Sequence, residues 1–180
     1  MKTIETGSVD AIICDPPYGT TACKWDSVID FGLMWAQLNR IIKTNGAIVL
    51  FGSEPFSSAL RMSNIKKYKY DWVWNKKLAG NFFLAKSQPM KIHENVIIFN
   101  STKDSFYPVK TDLDIIRNYK DKYGGGESLE KKGTGDKIHT TKGKNPKSII
   151  CISNANRKGN QHPTQKPVLL MEYLIKTYTN

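Results

Sequence analysis

The sequence predicts an α/β fold built on a doubly wound, mostly parallel sheet, and two observations carry this prediction. Strand-like and helix-like segments alternate along the first half of the chain, at the spacing of strand–helix–strand units. Most of the strand-like segments are short continuous apolar runs, which is typical of strands covered on both faces. The length of 180 residues suits one domain with a proper core, so we expect a single domain over residues 1–180.

Each element follows from its local pattern. In chain order we predict strand 9–14, helix 26–43, strand 46–51, helix 55–64, strand 69–74, strand 93–99, strand 148–152 and helix 167–178. The strands are runs of β-branched, aliphatic or aromatic residues. In the third strand Tyr70, Trp72 and Trp74 alternate with other residues, so they should share one face. Both tryptophans suit the sheet core better than a base-stacking surface. His93 and Glu94 suggest local hydrogen bonds at a strand end.

The helices are predicted from apolar residues that recur three and four positions apart. Asp26, Ser27 or Asp30 could cap the first helix, and Asn45-Gly46 would end it. Pro55 suits the first turn of the second helix. The inward faces of the second and last helices should carry Phe56, Ala59, Leu60, Leu170, Met171, Leu174, Ile175 and Tyr178.

Residues 100–147 break this pattern, because they are rich in lysine and glycine and have little apolar periodicity. Only residues 113–119 hint at a short helix. So long a segment without regular structure is usually a functional loop or an insert. We therefore expect a long basic insert within the domain.

Composition limits the functional classes. The formal net charge is +11, and the positive excess lies after residue 60, which points to a polyanionic partner such as nucleic acid. No apolar run is long enough to span a membrane. The three cysteines lack metal-ligand spacing, so we expect no metal, reduced thiols and a cytoplasmic location. Cys14 is expected to be a small buried hydrophobe.

Two short motifs carry the chemistry. Asp15-Pro16-Pro17-Tyr18 follows the first strand, where the prolines stiffen the chain and remove two N–H donors. The turn therefore offers a carboxylate, carbonyl acceptors and a ring at the edge where open α/β sheets bind ligands. The second motif, residues 162–167 (His-Pro-Thr-Gln-Lys-Pro), leaves a strand and enters the last helix. Gly52-Ser53-Glu54 lies at the same edge and is a weaker candidate.

In this order the motifs resemble those of the permuted-class DNA amino-methyltransferases, in which the catalytic region precedes the cofactor-binding region. The resemblance covers about residues 7–100 and 148–178. It implies a Rossmann-like S-adenosylmethionine-dependent methyltransferase fold. It also implies transfer of a methyl group to the N6 amine of a flipped adenine in double-stranded DNA. Residues 100–147 would be the variable target-recognition segment, and a homodimer is an allowed assembly.

The resemblance also implies roles for single residues. Catalytic roles fall to Asp15, Pro16, Pro17 and Tyr18, with Tyr18 stacking on the target base. Cofactor contacts fall to Asp15, His162, Thr164, Gln165 and Lys166. DNA contacts are assigned to Lys76, Lys77, Lys86, Lys142 and Lys144.

Alternative interpretations stay open. One is an N4-cytosine methyltransferase, and another is a truncated DNA-binding remnant without turnover. A methyltransferase of RNA or protein amides fits less well, because it usually has Asn in place of Asp15. The family's Gly-rich cofactor turn is not found in a strand-to-helix setting in this chain. The chain therefore looks truncated, and we expect residues 1–180 alone to bind S-adenosylmethionine poorly.

Overall fold

The protein is described here by a computed structural model. It describes residues 1, 3–21, 23, 26–110, 115–119, 137–141, 143–154 and 165–180. The chain forms two compact units. The first comprises Met1–Tyr107 and Lys147–Asn180, and the second comprises Pro108–Pro146.

Ten helices and strands are formed by the described residues. In chain order they are β1 (Val9–Cys14), α1 (Phe31–Ile41), β2 (Ile42–Gly52), α2 (Phe56–Ser63), β3 (Tyr68–Asn75), β4 (His93–Phe99), β5 (Ile115–Tyr119), β6 (Lys137–Thr141), β7 (Ile149–Cys151) and α3 (Val168–Tyr178).

The first unit is built on a five-stranded sheet with strand order β1-β2-β4-β3-β7. The pairs β1–β2 and β3–β7 are parallel, whereas β4 runs antiparallel to both β2 and β3. Four strands therefore end at one edge of the sheet, where β4 begins. The reversal of β4 has a simple cause: residues 76–92, which join β3 to β4, contain one short 3-10 turn (Phe82–Leu84) and no crossover helix.

Helices cover both faces of this sheet, which confirms the doubly wound α/β fold. Alternate residues of β2 point to opposite sides, so Val49 and Phe51 pack with α3 while Ile48 and Leu50 pack with α1 and α2. Trp72 and Trp74 lie on the α3 side and are almost fully buried, as the sequence predicted. The Nε1 of Trp72 donates to the hydroxyl of Tyr178, 2.7 Å away.

The first helix is shorter than predicted. Asp30 is its N-cap and accepts a hydrogen bond from the N–H of Leu33 at 2.8 Å. The helix ends at Ile41, and β2 begins at the next residue, so Asn45-Gly46 lies within a strand. A Cβ at Gly46 would come 2.6 Å from the carbonyl oxygen of Asp10. Glycine is therefore needed here for the close approach of β1, and the pattern was wrong in assigning it to a helix end.

Three smaller expectations were also wrong. Ala59 and Ile175 are exposed, because the inward faces of α2 and α3 are narrower than the apolar pattern suggests. Cys14 is exposed rather than buried. It ends β1, which pairs with a single neighbour, β2, among the described strands.

The second unit contains the two-stranded antiparallel sheet of β5 and β6, with Ile115 opposite Thr141 and Tyr119 opposite Lys137. The short helix suggested for residues 113–119 is thus wrong, since residues 115–119 form a strand. Local spacing of a few apolar residues did not reveal the partner strand about 20 residues later. No helix among the described residues is long and apolar enough to cross a membrane.

Candidate active site

The Asp-Pro-Pro-Tyr turn leaves the end of β1 at the edge of the sheet where β4 begins. Pro16 is buried, and Pro17 and Tyr18 are half-buried, so the turn is fixed against the body of the unit. The hydroxyl of Tyr18 donates to Oδ1 of Asp15 at 2.7 Å. The ring of Tyr18 stacks on that of Phe56, with 5.2 Å between centroids. The carboxylate of Asp15 is thereby held by a ring that is itself packed.

Asp26 fixes the loop that follows the turn. Its carboxylate accepts hydrogen bonds from the backbone N–H groups of Gly19, Thr20 and Thr21, at 2.9, 3.0 and 2.7 Å. Hydrogen bonds from Thr21 and from the backbone of Gly19 lower the pKa of Asp26 to about 2. Gly19 has a φ of +68°, which favours glycine. Asp26 was predicted only as a helix cap, and it instead closes this loop.

Lys166 comes from the far end of the chain and meets the turn. Its Nζ lies 3.0 Å from Oδ2 of Asp15 and 2.8 Å from Oε2 of Glu94. The same ammonium lies over three aromatic rings, with 5.0, 5.6 and 5.8 Å to the centroids of Phe51, Trp74 and Tyr18. Aromatic faces attract a cation in this position. Lys166 is thus surrounded by negative charge and π-electron density, and only 14% of its side chain is exposed.

Glu94 links Lys166 to a second lysine. Its Oε1 accepts from Nζ of Lys76 at 3.1 Å, and 15% of the Glu94 side chain is exposed. Burial raises the pKa of Glu94, but Lys166 and Lys76 together outweigh this effect, and the net shift is downward. We call the chain of contacts Lys76–Glu94–Lys166–Asp15–Tyr18 the Asp15 network. It contains two ammonium groups and two carboxylates, so its formal charges balance, as a poorly solvated cluster requires.

Tyr18 supplies the neutral end of the Asp15 network. Burial raises its pKa, and the negative charges of Asp15 and Glu94 raise it further. The phenol therefore stays protonated and keeps its hydrogen bond to Asp15 over the whole range of ordinary pH. The carboxylate of Asp15 is thus a hydrogen-bond acceptor whose orientation is fixed by Tyr18 on one oxygen and by Lys166 on the other.

The other predicted site residues are distributed as follows. Lys76 belongs to the Asp15 network, and its assigned DNA contact stays a prediction. Lys77 and Lys86 are exposed in the segment between β3 and β4, and Lys144 is exposed in the second unit. Gln165 precedes Lys166 and is exposed. His162, Thr164 and Lys142 lie outside the described residues.

In the weaker candidate, Gly52-Ser53-Glu54, the polar side chains are engaged in contacts with neighbouring residues. Glu54 accepts hydrogen bonds from the hydroxyl of Ser58 and from Arg61, and Ser53 is bonded to Nζ of Lys91. Sequence reasoning missed the role of Glu94, which was interpreted as a local pair with His93. Glu94 stands at the start of a predicted strand, and this position was the sequence signal that could have placed it at the same sheet edge as Asp15.

Known proteins resemble this chain in sequence and in fold. The model of an N6/N4 methyltransferase family, described as DNA methylase, matches residues 9–180. The Type II methyltransferase M.HpaI of Haemophilus parainfluenzae is 25% identical over 197 residues, which cover 100% of this chain and 57% of that protein. The chain thus spans less than two thirds of the length of this curated relative.

Solved structures share the fold. The M1.HpyAVI–SAM complex superposes with a TM-score of 0.53 and 19% identity, over 96% of this chain and 68% of that chain. The PvuII DNA methyltransferase, which is cytosine-N4-specific, superposes with a TM-score of 0.59 and 14% identity. The match covers 99% of this chain and 66% of that one.

Proposed function

The chain belongs to the N6/N4 family of DNA methylases, and from this premise we propose its reaction. The protein transfers a methyl group from S-adenosylmethionine to the exocyclic N6 amine of adenine in double-stranded DNA. The observation that carries the proposal is the fixed carboxylate of Asp15 at the sheet edge, held at 2.7 Å by Tyr18 and at 3.0 Å by Lys166.

Asp15 is suited to hold an amine. An exocyclic base amine is a weak nucleophile because its lone pair is delocalised into the ring. Acceptors on its two hydrogens orient it and let the nitrogen rehybridise as it attacks. A carboxylate has about four acceptor positions, and Tyr18 and Lys166 occupy one on each oxygen of Asp15. Since 32% of the Asp15 side chain is exposed, acceptor capacity remains for a substrate N–H.

The prolines complete the acceptor set. Pro16 and Pro17 have carbonyl oxygens but no N–H, so this part of the turn presents no competing donor. We assign the second amine hydrogen to the carbonyl of Pro16. In this proposal the target base leaves the duplex, as base-modifying enzymes require. Tyr18 is the candidate for stacking on that base, although its ring already packs on Phe56.

The donor set fits S-adenosylmethionine, which when bound supplies an electrophilic methyl group on a sulfonium. An ammonium has three N–H donors. Lys166 directs two of them at Asp15 and Glu94, which leaves one for the carboxylate of the cofactor's methionine part. The Asp15 carboxylate suits the cofactor's positive groups. Asp15, Gln165 and Lys166 are the described residues that we assign to it.

The experiment is a nucleoside analysis. Unmethylated genomic DNA is incubated with the protein and a large excess of S-adenosylmethionine, because weak cofactor binding is expected of residues 1–180 alone. The DNA is then digested and assayed by mass spectrometry. The proposal predicts N6-methyladenine. N4-methylcytosine alone would instead support the alternative base, which the family also covers. DNA binding without any methylated base would support a non-catalytic DNA-binding protein.

A further inference from the structure

The segment that joins β3 to β4 presents large apolar side chains to solvent. We call residues 76–92 the aromatic loop. Phe83 is 85% exposed and Phe82 is 64% exposed, and their rings lie 4.0 Å apart. Leu78, Leu84, Met90 and Ile92 in the same loop are exposed as well. A concentration of exposed apolar residues in one segment usually marks an interaction surface.

The aromatic loop is held in shape by its own hydrogen bonds. The N–H of Gly80 donates to the carbonyl of Lys91 at 2.8 Å, and the N–H of Lys91 donates to Oδ1 of Asn81 at 2.7 Å. The N–H of Lys76 donates to the carbonyl of Ile92 at 2.9 Å, which closes the base of the loop. The two rings are therefore displayed at the tip of a hydrogen-bonded loop, which lowers the entropy lost on binding.

The charge of the aromatic loop favours an anionic partner. Residues 76–92 contain four lysines and no acidic residue. Lys76 and Lys91 are engaged with Glu94 and Ser53. Lys77 and Lys86 are exposed and make no ion pair with any residue that the structure describes. Flat rings flanked by ammonium groups match a polymer of stacked bases and phosphates.

The position of the aromatic loop also fits contact with nucleic acid. It leaves the end of β3 and enters the start of β4, so it emerges at the same sheet edge as the Asp15 turn. Lys76 is part of both the loop and the Asp15 network. A nucleic acid whose base reached Asp15 would pass this edge.

We propose that the aromatic loop inserts Phe83 into the base stack of duplex DNA, next to the space that the target base leaves. Phe82 supports the Phe83 ring, and Lys77 and Lys86 contact the adjacent phosphates. Apolar side chains that unstack base steps are a known device of proteins that deform the duplex. The inference rests on the proposed function for the identity of the duplex and of the departed base.

The test measures binding without cofactor or turnover. Two fluorescein-labelled DNA duplexes are each titrated with the full chain. One duplex is intact, and the other contains one abasic site. We expect Phe83→Ala to weaken binding by about 5- to 150-fold, the range for loss of one base–aromatic stack. We expect wild type to prefer the abasic duplex, Phe83→Ala to lose this preference, and Phe83→Trp to keep it.

Matched controls come from the turn before β3, at the opposite end of that strand. Ile65 is 55% exposed, and Lys66 beside it is exposed. Ile65→Ala should leave the affinity within about twofold of wild type. Lys86→Ala should reduce the slope of log K against log salt by about 0.9, and Lys66→Ala should not. Equal thermal melting of the variants shows that the fold is intact.

Three results would overturn the inference. One is a Phe83→Ala protein that binds both duplexes as wild type does. Another is a wild type that binds neither duplex. The third is a dimer that Phe83→Ala dissociates in sedimentation while duplex affinity stays unchanged, because the loop would then join two copies. If DNA is methylated normally but Phe83→Ala binds as wild type, the inference fails alone. If Phe83→Ala loses binding but no base is methylated, the proposed function fails alone.

Discussion

Nζ of Lys166 lies 3.0 Å from Oδ2 of Asp15, although the two residues stand near opposite ends of the chain. Lys166 lies just before α3, and Asp15 directly follows β1. Their pairing joins the two sequence motifs into one site. It also couples Asp15 to Glu94 and Lys76, so the position of the proposed catalytic carboxylate depends on a network of partly buried charges.

Replacing Lys166 should destabilise the fold. Lys166→Met leaves Asp15 without its cation and Glu94 with Lys76 alone, in a cluster whose Lys166 and Glu94 side chains are 14% and 15% exposed. We expect the free energy of unfolding to fall by about 1 to 3 kcal/mol, between the cost of breaking an exposed pair and that of breaking a buried one. Urea unfolding measures it.

The control is Lys176→Met, which removes the exposed ion pair with Glu172 and should cost less than about 0.5 kcal/mol. Adding Glu94→Gln to Lys166→Met should recover part of the loss, with a coupling of about 1 kcal/mol or more. Additive effects of Lys166→Met and Glu94→Gln would show that the network does not act as a unit.

Tyr18→Phe separates the hydroxyl from the ring. The ring can still stack on Phe56, so the stability lost should be that of one hydrogen bond, because Asp15 loses its donor at 2.7 Å. A hydrogen bond to a charged group contributes about 1.5 kcal/mol or more, so the rate of methyl transfer should fall about tenfold. Single-turnover kinetics test this. Tyr107→Phe, which removes a tyrosine hydroxyl bonded to the carbonyl of Asp104, should leave the rate unchanged.

Asp26 should make stability sensitive to acid. Its folded pKa of about 2 lies below the ordinary value of 3.8. Below pH 3.8 the unfolded chain takes up a proton that the folded chain does not, so the stability from Asp26 is present above that pH and is lost as pH falls towards 2. The stability difference between wild type and Asp26→Asn should therefore shrink between pH 5 and pH 2.5 in urea unfolding. A constant difference would contradict the role given to this carboxylate.

Much of the fold was predictable because its signals are local. The apolar run of β1, the alternation of Trp72 and Trp74, and the helical spacing within α3 each require only neighbouring residues. Strand order was not predictable in this way. The insertion of β4 between β2 and β3 depends on the absence of a crossover helix in residues 76–92 and on pairing across the sheet.

The site residues also differ in whether the local sequence reveals their role. Asp15-Pro16-Pro17-Tyr18 reveals its chemistry through four consecutive residues. Glu94 does not, because its partners Lys76 and Lys166 are brought together only by the sheet and the approach to α3. Gly46 shows the same limit, since Asn-Gly is typical of a helix end, and only the neighbouring strand explains the glycine.

The central claim is that Asp15 holds the amine that accepts the methyl group. The most direct test compares Asp15→Ala with Asp10→Ala, a change in the same strand region that removes only an exposed pair with Lys43. Methylated nucleosides are counted by mass spectrometry, and duplex binding is measured in parallel. The account predicts that Asp15→Ala loses at least about 100-fold in methyl transfer while binding DNA normally, and that Asp10→Ala retains both. Methyl transfer by Asp15→Ala at the wild-type rate would contradict it.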